Sequence, residues 1–353
     1  MKTRKNTIFL AACAVCMLLA SCSSSDSDDK NYLEENFFTV QNASYVEGSM
    51  PVPTVNDAIG TVSVNRNMIA GGSSIITLTS PVQLSSLLVS IDDEKAGGYY
   101  ELPLTAVSGL QAHTRPAMTT YTYVAYLQLS QGLDENFEIV VAARTLDGAI
   151  TQWWSSNVRY VAAGTGDLQV SLTFNNEKDV DLYVVEPNGH VIFYGNREAY
   201  LYGMRYLNGE NYDAASDTVV IGLDLDSNAG CSIDGVDNEN VSITKEYLQK
   251  GKYQVWVNLY SNCDPSIETL WGITALFEGQ PITVSYGSNP AAGKYEVNAP
   301  SNYMGSVIDS EAKLVMEFTI NEGVTVQNNA QELPRRLTPS ARLKLQEVKE
   351  SGE

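Results

Sequence analysis

Two short acidic repeats offer the clearest chemistry in this chain: Asp179-Val180-Asp181-Leu182 and Asp224-Leu225-Asp226. In an extended strand, residues two apart point to the same side. Asp179 and Asp181 are therefore expected to share one face, and Asp224 and Asp226 another. Like charges held so close repel unless water or a cation stands between them. A hard cation that gathers about six to eight oxygens meets that need, and calcium is the expected ion. Asn228, Asp234, Asp237 and Glu239 follow in the next loop and add oxygens. The expected metal ligands are thus Asp179, Asp181, Asp224, Asp226, Asn228, Asp234, Asp237 and Glu239. The loop is not an EF-hand. Counted from Asp224, Ala229 takes the place of the required glycine and Gly235 that of the bidentate glutamate. The competing reading makes these acids turn formers that bind loop backbone and stay hydrated.

A second group of residues suits recognition. Tyr194, Tyr200, Tyr202, Tyr206 and Tyr212 crowd a segment that also holds Arg197 and Arg205. Tyrosine offers a flat apolar face with a polar tip, which fits sugars and protein partners. These five are the expected ligand-binding residues. The alternative is that the rings pack the segment onto its own domain. Trp153, Trp154, Trp256 and Trp271 read as core or interdomain packing.

Catalysis finds little. His113 and His190 are the only histidines. Neither stands in a zinc-binding HExxH, and no GxSxG elbow or phosphate-binding glycine loop occurs. The chain is read as a non-enzyme with a glycan or protein ligand. Two alternatives stay open: a glycan-degrading enzyme using paired carboxylates, or a structural part of a surface assembly built on an exposed strand edge.

The elements that must carry these residues are almost all strands. Runs of alternating apolar residues recur between Gly, Asn, Asp and Pro clusters. The chain is expected to be all-β, with two β-sandwich domains. Residues 35–163 read as an immunoglobulin-like sandwich and residues 165–323 as a jelly-roll-like one. The Ala162-Ala163-Gly164-Thr165-Gly166 stretch reads as a flexible linker. Leu168, Val170, Leu172 and Phe174 alternate with Gln169, Ser171, Thr173 and Asn175, the mark of a half-buried strand. Residues 324–353 form a tail with helix formers after Thr338 and Pro339.

The N-terminus supplies an address. Lys2, Arg4 and Lys5 precede an apolar run over residues 8–20, too short to span a bilayer. Leu19-Ala20-Ser21-Cys22 resembles a bacterial lipobox, so residues 1–21 read as a signal peptide and Cys22 as the lipid-bearing residue. Residues 22–34 read as a flexible acidic tether. The run from Ser23 to Lys30 resembles the surface-export signal of Bacteroidetes lipoproteins. The expected location is the outer membrane, surface-exposed or otherwise facing the periplasm. Cleavage removes three basic residues and no acid, leaving 19 Lys and Arg against 42 Asp and Glu. That charge opposes binding to nucleic acid or bare anionic lipid. Cys13 and Cys16 leave with the signal peptide, so Cys231 and Cys263 read as one disulfide.

The order of motifs in the second block resembles a known family. Asp179-Val180-Asp181-Leu182-Tyr183-Val184, Pro187-Asn188-Gly189, Leu223-Asp224-Leu225-Asp226, Glu239-Asn240-Val241 and Gly251-Lys252-Tyr253-Gln254-Val255 follow the pattern of the YfaP-like (DUF2135-type) bacterial domain. The likeness spans about a third of the chain. Tyr183 replaces the usual histidine, and a long insertion separates Tyr194 from Gly222. The resemblance implies a secreted β-domain and no particular reaction.

Overall fold

The computed structural model describes residues 31–55, 59–104, 120–207, 221–303 and 311–326. Asn31 Oδ1 accepts the Glu34 N–H at 3.0 Å and caps helix α1 (Tyr32–Asn36). Leu33 is fully buried in the adjoining core. Residues 31–34, read above as the end of the tether, are thus folded, because Leu33 brings enough apolar surface to anchor them.

The first sandwich follows. Its strands are β1 (Phe38–Val40), β2 (Ser44–Glu47), β3 (Thr61–Val64), β4 (Asn67–Ile69), β5 (Ser73–Ser80), β6 (Leu84–Ile91), β7 (Gly98–Pro103), β8 (Tyr121–Leu129), β9 (Phe137–Thr145) and β10 (Trp154–Val161). They form a sheet in the order β1-β8-β5-β3 and a facing sheet in the order β2-β7-β6-β9-β10-β4. Phe38, Ile76, Leu78, Leu87, Val89, Leu127 and Val141 fill the space between them.

The second sandwich contains β11 (Leu168–Phe174), β12 (Asp179–Val185), β13 (Val191–Ile192), helix α2 (Tyr200–Leu207), β14 (Gly222–Leu225), β15 (Asn238–Ile243), β16 (Gly251–Ser261), β17 (Thr269–Phe277), β18 (Gln280–Pro281), β19 (Val284–Gly287), β20 (Ala291–Tyr295) and β21 (Lys313–Ile320). One sheet runs β14-β15-β11-β17-β18, with β20 also on β17; the other runs β13-β12-β16-β21-β19. Leu168, Val170, Leu172 and Phe174 of β11 meet Val180, Leu182 and Val184 of β12 in a continuous core. Named strands pair antiparallel throughout, save β10 with β4. The all-β sandwich architecture is therefore as expected. No helix among the described residues is long and apolar enough to cross a membrane.

The polar face of β11 departs from expectation. Gln169, Ser171 and Thr173 are fully buried, because β11 packs against β5 of the first sandwich. Gln169 Nε2 donates to Ala70 O at 2.8 Å, and Asn65 Nδ2 donates to Thr173 Oγ1 and Phe174 O, each at 2.9 Å. Gly272 sits where a Cβ would meet the Tyr126 ring at 3.0 Å, so the sheets approach closely there. The linker is pinned as well. Gly164 N–H donates to Asp224, and Gly164 O accepts from Asn240 Nδ2 at 2.8 Å. Alternation shows which face of a strand is polar, but not whether that face meets water or another polar face.

Candidate functional site

Four of the eight expected ligands lie within reach of one another's charge beside the start of β12. Asp179 and Asp181 open β12, which has an irregular register between Asp179 and Val180 against β16. Glu239 lies on β15 on the same side as Val241, a core residue, so its carboxylate enters the gap between the sheets. There Oε2 accepts the Leu182 N–H of the opposite sheet at 2.7 Å. Strand β13 reaches only Val184 and Val185, which leaves that N–H for the carboxylate. Asp181 Oδ2 accepts from the Tyr183 hydroxyl at 3.1 Å, and Asp179 Oδ2 from Gly230 N–H at 2.7 Å. Glu239 is 1% exposed, and its Oε1 has no hydrogen-bond partner.

Electrostatics bind these groups into one cluster. Burial pushes the Asp179 carboxyl up to about 6, the Gly230 bond pulls it back, and Asp226 pushes it further. Burial, then the charge of Asp179, raises Asp181 well above the usual carboxylate range. Burial, then the charges of Asp181 and Asp226, does the same to Glu239. Asp226 is raised by burial and drawn down by Arg197. Arg197 spends its guanidinium on backbone, donating to Leu223 O and Asp224 O at 2.9 Å each.

The other four expected ligands do different work. A register break between Leu223 and Leu225 turns Asp224 away from Asp226. Asp224 instead accepts from Gly164 N–H and from Asn240 Nδ2 at 2.9 Å. Asp234 holds its loop closed, accepting from Ser227 Oγ at 2.7 Å and Val236 N–H at 2.8 Å. Asn228 Nδ2 donates to Asp237 Oδ1 at 2.8 Å and Lys178 O at 3.0 Å. Asn228, Asp234 and Asp237 thus hold the loop together, as the competing reading had it, although Asn228 is fully buried and not hydrated. Among the described residues, no three His, Cys, Asp or Glu side chains stand grouped to hold a metal ion as they are. The four remaining carboxylates share a field and not yet a coordination point. Cys231 and Cys263 form a disulfide, which ties the loop bearing Gly230 to the turn after β16.

Beside the cluster, on the outer face of the β12 sheet, runs a row of aromatic rings. Tyr183 stacks on Phe193 at 5.3 Å between centroids. Phe193 meets Tyr194 edge-on at 5.1 Å, Tyr194 meets Tyr260 at 5.2 Å, and Tyr260 meets Tyr303 at 5.3 Å. Half-buried Trp256 packs on the same patch. The row ends in Tyr303, which is 68% exposed. Its hydroxyl bonds with Ser261 and Ser301 lower its pKa, and Asp179 is near enough to oppose that shift. Tyr260 and Tyr303 were not among the expected binding residues. Tyr260 closes the alternating run of β16, a signal in plain view, whereas Tyr303 reaches it only through the fold.

The remaining tyrosines divide. Tyr202 is 8% exposed, lies 5.1 Å from Tyr247, and has the Arg205 guanidinium 3.2 Å over its ring. Tyr200 donates its N–H to Glu186 Oε2 at 2.7 Å and sets its ring against His190. These two pack α2 onto its own sandwich, which corrects their assignment to ligand binding: the helix has an apolar side that the core takes up. Tyr212, the Tyr206 side chain and Cys22 lie outside the described residues. A cleft of about 720 Å³ and another of about 670 Å³ flank Arg66 and Asn67. Neither is lined by the carboxylate cluster or the aromatic row.

No family model matches the chain, and no curated protein matches it. Among solved structures it is similar to a cycloalternan-degrading enzyme from Trueperella pyogenes, at 12% identity and TM-score 0.21, covering 73% of this chain and 32% of that one. It is similar to the fibronectin(III)-like modules of Clostridium thermocellum CbhA, at 11% identity and TM-score 0.17, covering 63% of this chain and 93% of that one. It is also similar to a collagen adhesin from S. aureus, at 8% identity and TM-score 0.15, covering 69% and 94%. The chain spans about a third of the length of the first of these. Likenesses at such TM-scores carry no argument about what this chain does.

Proposed function

We propose that this chain is a non-catalytic binding protein of a bacterial cell envelope, held by lipid on Cys22 and gripping a glycan or protein with the outer face of its second sandwich. The observation that carries this is the aromatic row ending in Tyr303, exposed at 68%. A large ring left in water forgoes the burial that stabilises folded chains, and a ligand restores it. A glycan fits better than a protein. The row is narrow, its open tip is a single ring, and its rim is polar, with Ser261, Ser301 and Asp179 at hand. A sugar ring offers an apolar face to the tyrosine and hydroxyls to that rim. The immunoglobulin-like first sandwich serves as a spacer and the jelly-roll-like second one as the grip. The acidic balance suits a solvated surface at the envelope.

A glycan array probed with residues 23–353 tests the binding. The reading expects discrete hits that Tyr303→Ala abolishes without changing thermal stability. A blank array with folded protein, or hits indifferent to Tyr303→Ala, overturns it. The tether has its own test: the wild-type chain takes up labelled palmitate in a bacterial host and Cys22→Ala does not.

A further inference from the structure

We infer that Asp179, Asp181, Asp226 and Glu239 form a divalent-cation site, of calcium type, that staples together the two sheets of the second sandwich. Glu239 points the way. It is 1% exposed, one oxygen accepts Leu182 N–H, and the other has no N–H or hydroxyl donor, so the carboxyl's further contact is a hydrogen bond with Asp226 that needs a proton held between two acids. An unpartnered carboxylate oxygen in the interior is costly to leave. Among the described residues none of the four carboxylates is in an ion pair, and Arg197 is committed to backbone carbonyls.

Acid clusters of this kind are relieved in two ways: protons shared between the groups, or a cation. The donors are all carboxylate oxygens, the preference of a hard ion. They come from β12 in one sheet, and from β15 and the end of β14 in the other, so one ion would cross-link both layers. Calcium tolerates irregular shells completed by water. That matters because no three of the side chains yet converge on a point. Asp226, the only one of the four that is not buried, already hydrogen-bonds Glu239 and has the most room to turn toward a shared ion.

The test uses residues 23–353 stripped with EDTA and titrated with calcium chloride alone at pH 7.5, so it reads the ion without any glycan. Calorimetry is expected to show one site per chain, and the melting temperature to rise by about 5 °C at about 100 times the dissociation constant. Glu239→Gln is the decisive variant. Its carbonyl keeps the Leu182 bond while its amide donates to the neighbouring carboxylates, so it folds without calcium and loses the calcium-induced rise. Asp226→Asn loses the rise as well, and the loop variant Asp234→Asn keeps it. Wild-type protein showing neither heat nor a melting shift overturns the inference and leaves shared protons as the relief. A Glu239→Gln variant that keeps the full shift overturns it equally.

Discussion

Glu239 of one sheet accepts the backbone N–H of Leu182 in the facing sheet at 2.7 Å, through a carboxylate that is almost wholly buried. That bond favours the ionised carboxylate, against the larger effects of burial and of the charges of Asp181 and Asp226. It holds a titratable carboxyl at the end of an apolar core, within the field of Asp179, Asp181 and Asp226.

The first prediction concerns pH. Burial lifts Asp179 to about 6 and lifts Asp181 and Glu239 well above the usual range. The folded state therefore binds more protons than the unfolded one, and stability falls as pH rises. The contribution is fully present below the unfolded value near 4 and is lost as pH climbs through about 6 and beyond. In EDTA, the melting temperature of wild type is expected to drop relative to Glu239→Gln between about pH 5 and pH 8. Parallel curves for the two proteins would count against the buried-acid cluster.

The disulfide gives the second. Cys231 and Cys263 are 32 residues apart. Closing such a loop stabilises by about 3.5 kcal/mol through the unfolded state. Replacing both with serine is expected to lower the melting temperature by about 7 °C, and the same loss should follow reduction of the wild type. A melting point unmoved by reductant would contradict the pairing.

The third separates packing tyrosines from presenting ones. Tyr202→Ala removes a ring buried against Tyr247 and Arg205, and should cost about 3 kcal/mol in urea unfolding. Tyr303→Ala removes an exposed ring and should cost under about 0.5 kcal/mol. Equal losses would mean that Tyr303 is structural.

The fourth addresses the junction between the sandwiches. Gln169→Ala leaves Ala70 O without its side-chain donor in a fully buried setting and removes one of the two donors to Asn240 Oδ1, Ser171 Oγ being the other. The expected cost is about 2 kcal/mol. Calorimetric unfolding is expected to give one cooperative peak in wild type and a broader one in the variant as the two cores uncouple. A sharp, unshifted peak would show that the junction is not structural.

Much of the fold was legible in the chain. The alternation of Leu168, Val170, Leu172 and Phe174 marks a core face, and those residues line it. The same alternation misleads about Gln169, Ser171 and Thr173, because a polar face buried on another polar face reads like a solvated one. Strand β15 hides among Asp and Asn residues that signal turns, yet Val241 and Ile243 anchor it between β11 and β14. For the site, the sequence points to Asp179, Asp181, Asp226 and Glu239, and these feel one another's charge without grouping around one point. Asp224 is also expected there and turns away, since strand spacing says nothing of a register break beside Leu223. Tyr260 and Tyr303 escaped because their neighbourhood is made by the fold and not by proximity along the chain.

Calorimetric titration of an array-selected glycan into wild type and Tyr303→Ala asks most directly whether the second sandwich grips a ligand by its aromatic row. Saturable binding to wild type is expected, with an affinity at least about tenfold weaker in the variant, a difference of about 1.4 kcal/mol. Equal affinity in the two proteins would contradict it.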